Sequence, residues 1–298
     1  MSRQKSNFKF KHSLGQNFIV DEFLLEDIAD ESGITKDDFV LEIGPGNGAL
    51  TRCLCDRARY VVSVEIDKSL IPLLKSNLKD YKNVSIINAD FMELDFQAIM
   101  SEFGFEPNIC RGEACEPSYG HVLRAPIKVV ANLPYYITSP IINILLQNPY
   151  ISEMTLMVQK EVAERIVATP NSKDFGVLTL ACNYFAKTEM IMLVSKNCFF
   201  PVPKVDSAVV HFSKHPEFFD ISNENNFHIE DDPEYKKLFN IIKAAFSQRR
   251  KKLSNSLSNT LNLDKNLVSD IFSKLGFDEN VRAENLSLSD YKKLALLI

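Results

Sequence analysis

Short apolar runs recur along the first 160 residues, at 39–43, 60–64, 84–87, 127–130 and 154–158. They are rich in Val and Ile and too short for helices, which is the pattern of parallel strands buried on both faces. Between them the apolar positions shift to helical spacing, as at 49–59, 68–78 and 140–146. Strand and helix in alternation predict a doubly wound α/β sheet with helices on both faces. Two helical patterns, 160–167 and 176–186, then lead to the strand-like stretches 190–194 and 207–212, separated by a Pro-rich turn. These two could pair as a hairpin at the sheet edge, completing a Rossmann-like sheet of seven strands.

The pattern changes after residue 214. Residues 215–232 are polar and acidic without clear period and read as a linker, whereas 235–246, 251–261, 267–275 and 289–297 all carry helical spacing. The predicted organisation is an α/β domain over 1–214 with a basic N-terminal segment, a linker over 215–232 and a small all-helical domain over 233–298. One stretch inside the α/β part, 107–126, has Gly, Pro and Cys but no period, and reads as an inserted loop.

Composition narrows the class without naming a chemistry. Hydrophobic residues make up 45% and charged residues 24% of the 298, and no run approaches the ~18 apolar residues of a membrane span. With no apolar leader after a basic, polar N-terminus, a cytoplasmic protein is expected. The six cysteines do not form a disulfide framework in a chain this long, and buried free thiols are the expectation. Cys110, Cys115 and His121 offer only three irregularly spaced ligands, so no metal is expected. The net charge of −5 argues against non-specific coating of nucleic acid. Its distribution matters more: Arg3, Lys5, Lys9 and Lys11 stand without an acid in the first twenty residues, and 243–252 carries five basic residues and no acid. Two local basic patches fit an RNA-facing side, although such runs are also ordinary solvated faces.

The candidate chemistry lies directly after predicted strands, where open α/β sheets bind ligands. The glycines of 44–48 let backbone approach a ligand closely, but their spacing fits a nicotinamide dinucleotide as well as a methyl donor. Glu65, after the next strand, suits the vicinal hydroxyls of a ribose, which both cofactors contain. Asp90, after the third strand, can accept from an adenine amine. The series Glu42, Glu65, Asp90, one acid per strand end, leans towards S-adenosylmethionine, while a plain helix-capping role for each stays open. After the fourth strand comes Asn132-Leu133-Pro134-Tyr135. An adenine exocyclic amine is a poor nucleophile because its lone pair is delocalised into the ring. Acceptors at the Asn132 side chain and the Leu133 carbonyl could each take one amine hydrogen and draw the lone pair out of the ring plane. Pro134 would fix the turn and has no N–H to compete for those acceptors. Tyr135 would stack on the base, worth on the order of 1–3 kcal/mol.

Here the sequence resembles the small-subunit ribosomal RNA adenine dimethyltransferases. Gly15-Gln16-Asn17-Phe18, Glu42-Ile43-Gly44-Pro45-Gly46, Asn132-Leu133-Pro134-Tyr135 and Phe199-x-Pro201-x-Pro203-Lys204-Val205-Asp206-Ser207 are similar to that family's motifs, and 245–252 to its basic C-terminal stretch. The resemblance implies S-adenosyl-L-methionine as cofactor, held by Asn17, Ile19, Gly44, Glu65, Asp90 and Asn132. It implies that Asn132 and Leu133 hold the target amine, with Pro134 shaping the turn and Tyr135 and Phe199 sandwiching the base. It further implies two methyl transfers to each of two adjacent adenines in a hairpin near the 3′ end of small-subunit rRNA, within an immature subunit, by a monomer. The 107–126 insertion and the low isoelectric point depart from the family pattern. Large-subunit rRNA adenine methyltransferases share the glycine loop and a similar Asn-x-Pro-Tyr, and a non-catalytic assembly factor is the rival of a different class.

Overall fold

A computed structural model of the chain describes residues 17–103, 126–219 and 229–298. Arg3, Lys5, Lys9 and Lys11, the motif positions Gly15 and Gln16, nearly all of the 107–126 insertion with Cys110, Cys115 and His121, and the middle of the 215–232 linker lie outside the described residues.

The apolar runs all become strands, most of them longer than the runs themselves. A two-residue strand β1 (Phe18–Ile19) and helix α1 (Glu22–Glu31) precede β2 (Phe39–Ile43), α2 (Ala49–Arg57), β3 (Tyr60–Glu65), α3 (Ile71–Asn77), β4 (Val84–Asn88) and α4 (Phe96–Glu102). Then come β5 (Ile127–Asn132), α5 (Thr138–Gln147), β6 (Ile151–Gln159), α6 (Lys160–Ile166), α7 (Val177–Phe185), β7 (Ala186–Val194), a second two-residue strand β8 (Phe199–Phe200) and β9 (Ser207–Lys214). The main sheet has the order β4-β3-β2-β5-β6-β9-β7. β2 runs parallel to β3 and to β5, and β3 to β4. β2 is buried at every position, which is why its sequence shows no polar alternation. From β2 the chain winds outward through β3 and β4, then returns to the other side of β2 as β5. That reversal opens a crevice between the carboxyl ends of β2 and β5, the place where doubly wound sheets bind ligands.

α1, α4 and the β1–β8 ribbon are not signalled by the periodicity. α1 buries only Leu24, Leu25, Ile28 and Ala29, a stripe too short to stand out, and starts where the Asp21 carboxylate accepts the N–H groups of Phe23 and Leu24. β1 and β8 pair antiparallel, Phe18 opposite Phe200 and Ile19 opposite Phe199, and two residues have no period to read.

Packing separates two compact units. The first takes in Met1–Ile141, Met154–Lys160 and Ile191–Val210, and the second Ile142–Glu153, Glu161–Met190 and His211–Ile298, as far as the described residues go. The first has a core around Ile28, Val40, Leu54, Val61, Phe199 and Val209. The second is built on α8 (Pro233–Phe246), α9 (Leu253–Leu261), α10 (Lys265–Leu275) and α11 (Leu288–Leu297), whose Leu238, Ile242, Leu257, Phe272 and Tyr291 share a core with Phe175 and Leu180. Its helices start and stop where local chemistry says they should: Asp232 and Asp264 accept the first free N–H groups, and Gly276 ends α10 in the left-handed conformation.

Candidate active site

β2 delivers the chain to Gly44, Pro45 and Gly46 at the crevice. Gly44 (φ +71°) and Gly46 (φ +60°) lie in the left-handed region open to glycine. A Cβ on Gly44 would stand 3.9 Å from the Asn132 carbonyl and 4.0 Å from Pro134 Cδ, so a longer side chain there would fill the gap between the two strand ends. A Cβ on Gly46 would stand 2.6 Å from the Phe18 ring, which closes directly on the loop from the ribbon. The Gly46 N–H donates to Glu65 Oε2 (3.1 Å), and the Asp67 N–H to Glu65 Oε1 (2.7 Å). One carboxylate at the end of β3 thereby holds the glycine loop while it lines the cleft. Burial pushes the Glu65 pKa above the usual carboxylate value, and the backbone donors Asp67 and Gly46 oppose that shift.

Glu42, one residue before the end of β2, is also buried and accepts the Ser63 hydroxyl at 2.8 Å. Loss of water pushes its pKa up to about 7, with the neighbouring Glu65 charge adding to the rise. Asp90, after β4, accepts the Met92 N–H at 2.9 Å through Oδ1 while its carbonyl takes the Glu93 N–H, so a compact turn presents the carboxylate to the cleft. Asn88 ties the ends of β3 and β4 by donating to the Glu65 carbonyl at 2.7 Å.

The other wall is the end of β5. Asn132 Nδ2 donates to the Asn17 carbonyl at 3.4 Å, which directs the acceptor Oδ1 of the same amide away from that contact. The Leu133 N–H donates to the Met157 carbonyl on β6 (3.1 Å), fixing the peptide that follows Asn132. Pro134 leads into a turn closed on its own carbonyl by the Ile137 N–H (3.2 Å) and the Thr138 hydroxyl (3.0 Å). The Tyr135 ring lines the cleft and its hydroxyl shares a 2.6 Å hydrogen bond with Ser207 Oγ.

Asn17, Ile19, Gly44, Glu65, Asp90, Asn132, Leu133, Pro134 and Tyr135 are all brought to this one cleft. Phe199 is not: its side chain is 1% exposed and packs in the core of the first unit, while its neighbour Phe200 is 56% exposed. Three residues had no assigned role from their sequence positions. Phe18 and Tyr136 line the cleft, and Ser207 anchors Tyr135 from 72 positions away. Phe18 and Ser207 sit inside matched motifs, a signal that marks them without saying what they touch.

The residues fit a nucleoside carrying a sulfonium. Glycine backbone free of side chains faces the crevice, Glu65 offers carboxylate lone pairs for vicinal hydroxyls, Asp90 an acceptor for an amine, and apolar Ile19 and Leu50 wall the same space. Comparison with known proteins agrees. The family model described as Ribosomal RNA adenine dimethylase matches residues 7–298. The chain is 42% identical over 292 residues to Ribosomal RNA small subunit methyltransferase A of Clostridium botulinum (strain Loch Maree / Type A3), covering 98% of this chain and 94% of that protein. It is 43% identical over 296 residues to the protein of the same name from Lachnoclostridium phytofermentans, covering 98% and 92%. Among solved structures it is similar to the 23S rRNA methyltransferase ErmE (25% identity, TM-score 0.64, 94% of this chain and 98% of that one). It also shares the fold of a dimethyladenosine transferase from Plasmodium falciparum (24% identity, TM-score 0.70, 94% and 96%).

Proposed function

The chain belongs to the ribosomal RNA adenine dimethylase family, and on that premise we propose that its cleft transfers methyl groups to the N6 amines of two adjacent adenines near the 3′ end of small-subunit rRNA. It is an S-adenosylmethionine-dependent enzyme, and the cofactor supplies an electrophilic sulfonium methyl. Glu65 would hold the ribose hydroxyls of the donor, Asp90 its adenine amine and the Gly44 backbone its methionine part, with Asn17 and Ile19 completing the hold. Asn132 Oδ1 and the Leu133 carbonyl each accept one hydrogen of the target amine, which turns its lone pair towards the methyl. Tyr135 stacks on the base, and Phe199 backs the ribbon from the core. No strong base is needed, because the methylammonium formed on the substrate is acidic and releases its proton to water. Rate then comes from orientation and in-line approach.

The observation that carries this reading is the Asn132 amide, oriented by the Asn17 carbonyl at the sheet reversal opposite the glycine loop. We assign the chemistry to residues 1–214 and RNA docking to the helical span 233–298, joined through 215–232, and expect a cytoplasmic monomer acting on an immature small subunit. Among the described residues no helix is long and apolar enough to cross a membrane.

The test is label transfer from S-adenosylmethionine to undermethylated small subunits and, separately, to large-subunit RNA, read by nucleoside mass spectrometry. Dimethyladenosine in small-subunit RNA alone is expected. Asn132→Ala should lower transfer by about a hundredfold or more, the usual scale for a lost electrostatic acceptor, while donor affinity changes only a few-fold. Label in large-subunit RNA would move the substrate to the class named for ErmE, and no label anywhere would leave a non-catalytic assembly factor.

A further inference from the structure

Ser207 opens β9, is fully buried, and puts its hydroxyl 2.6 Å from that of Tyr135. A buried hydroxyl without a partner is costly, so this bond is held firmly. The residue before it is fixed twice: the Asp206 carbonyl accepts the Lys160 N–H at 3.0 Å and Asp206 Oδ1 the Lys196 N–H at 2.9 Å. At the other end of the ring, the Pro134 carbonyl closes the turn that carries Tyr135. The ring is thus held by its backbone and by its tip, and its plane is set from both.

We infer that Ser207 is a positioning residue for the second methyl transfer, because it fixes the stacking platform that holds the adenine after the target amine has lost one of its two hydrogens. This rests on the reading that Asn132 and Leu133 hold the amine and Tyr135 stacks on the base. In the first transfer the N6 lone pair forms the new N–C bond, the S–C bond breaks with its electron pair going to sulfur, and the ammonium proton leaves to water. The product amine has one N–H for two acceptors, so the polar hold on N6 loses a hydrogen bond. Stacking on Tyr135 is untouched by the methyl. The second transfer therefore depends more on the ring platform than the first does, and so on the Ser207 hydroxyl.

The experiment is a time course on undermethylated small subunits with S-adenosylmethionine, measuring N6-methyladenosine against N6,N6-dimethyladenosine. Ser207→Ala and Tyr135→Phe should each raise the ratio of monomethyl to dimethyl product about fivefold, the scale of one lost hydrogen bond. The double variant should go no further, since both changes break the same bond, and Ser207→Thr should restore the ratio. Thermal unfolding runs alongside; if Ser207→Ala fails to fold, Tyr135→Phe decides alone. Wild-type ratios in the folded single variants, or additive effects in the double variant, would overturn the role of Ser207. Absence of dimethyladenosine with the unaltered enzyme would instead overturn the proposed function itself.

Discussion

Glu42 and Glu65 both leave water near the carboxyl ends of neighbouring parallel strands, and the Glu65 charge adds to the rise in the proton affinity of Glu42. Only Glu65 receives two backbone N–H groups, whereas Glu42 has the Ser63 hydroxyl. The folded-state pKa of Glu42, about 7, stands above its ordinary value of 4.5. The stabilisation that follows is fully present below pH 4.5 and is lost as pH rises through 7, an effect on the order of 3 kcal/mol across that window. Thermal unfolding followed from pH 5 to pH 8 should show a falling Tm in the native protein. In Glu42→Gln, which keeps an acceptor for Ser63 and never ionises, the fall should be flatter; equal slopes in the two proteins would mean that Glu42 does not titrate there. Three acids at three strand ends were legible in the chain as a series. Their division of labour was not, because it depends on which N–H groups converge on each carboxylate.

The β1–β8 ribbon shows the same division for whole elements. Asn17-Phe18-Ile19 and Phe199-Phe200 lie some 180 positions apart, and both read as motif fragments without periodicity. Paired, they bring the Phe18 ring onto Gly46 and the Asn17 carbonyl onto Asn132. Gly46→Ala should destabilise the protein by about 1–2 kcal/mol, because alanine resists the left-handed conformation, and the added methyl must also displace the Phe18 ring. The rise in Tm produced by saturating S-adenosylmethionine should shrink in the same variant; a full rise would show that the ribbon and loop do not act together on the donor. The resemblance at the motif around residue 199 implies a base-stacking Phe199, and the ribbon pairs that residue with Ile19. Motif position identified the segment, and only the pairing of Ile19 with Phe199 decided which of the two adjacent rings faces the core.

Across the whole molecule, the charge distribution separates an overall acidic chain from a local basic surface. Arg250, Lys251 and Lys252 follow α8 as exposed side chains, whereas Arg249 donates to the carbonyls of Lys173 (2.7 Å) and Phe175 (3.1 Å). Arg249 therefore ties the loop before α7 to the end of α8, a structural duty that a charge count cannot reveal. Replacing Arg250, Lys251 and Lys252 together by Glu should weaken binding to small-subunit RNA at least about tenfold and make the dependence of log affinity on log salt shallower by about two units. An unchanged salt slope would show that these three cations do not meet phosphate.

The alternation of the longer strands and helices, the glycine loop, the acid at or near each strand end and the Asn132-Leu133-Pro134-Tyr135 turn were determined by the chain alone, because burial period, backbone freedom and turn chemistry are local properties carried by adjacent residues. The helices α8 to α11 were legible for the same reason, with capping residues marking several of their ends. What only the tertiary structure decided is which distant groups meet: Asn17 with Asn132, Phe18 with Gly46, Tyr135 with Ser207, Arg249 with the 173–175 loop. Such contacts span tens to hundreds of positions and depend on strand order and register, which local periodicity does not encode. A one-residue change of register exchanges the inward and outward faces of a strand, and the fate of Phe199 and Phe200 turned on that choice.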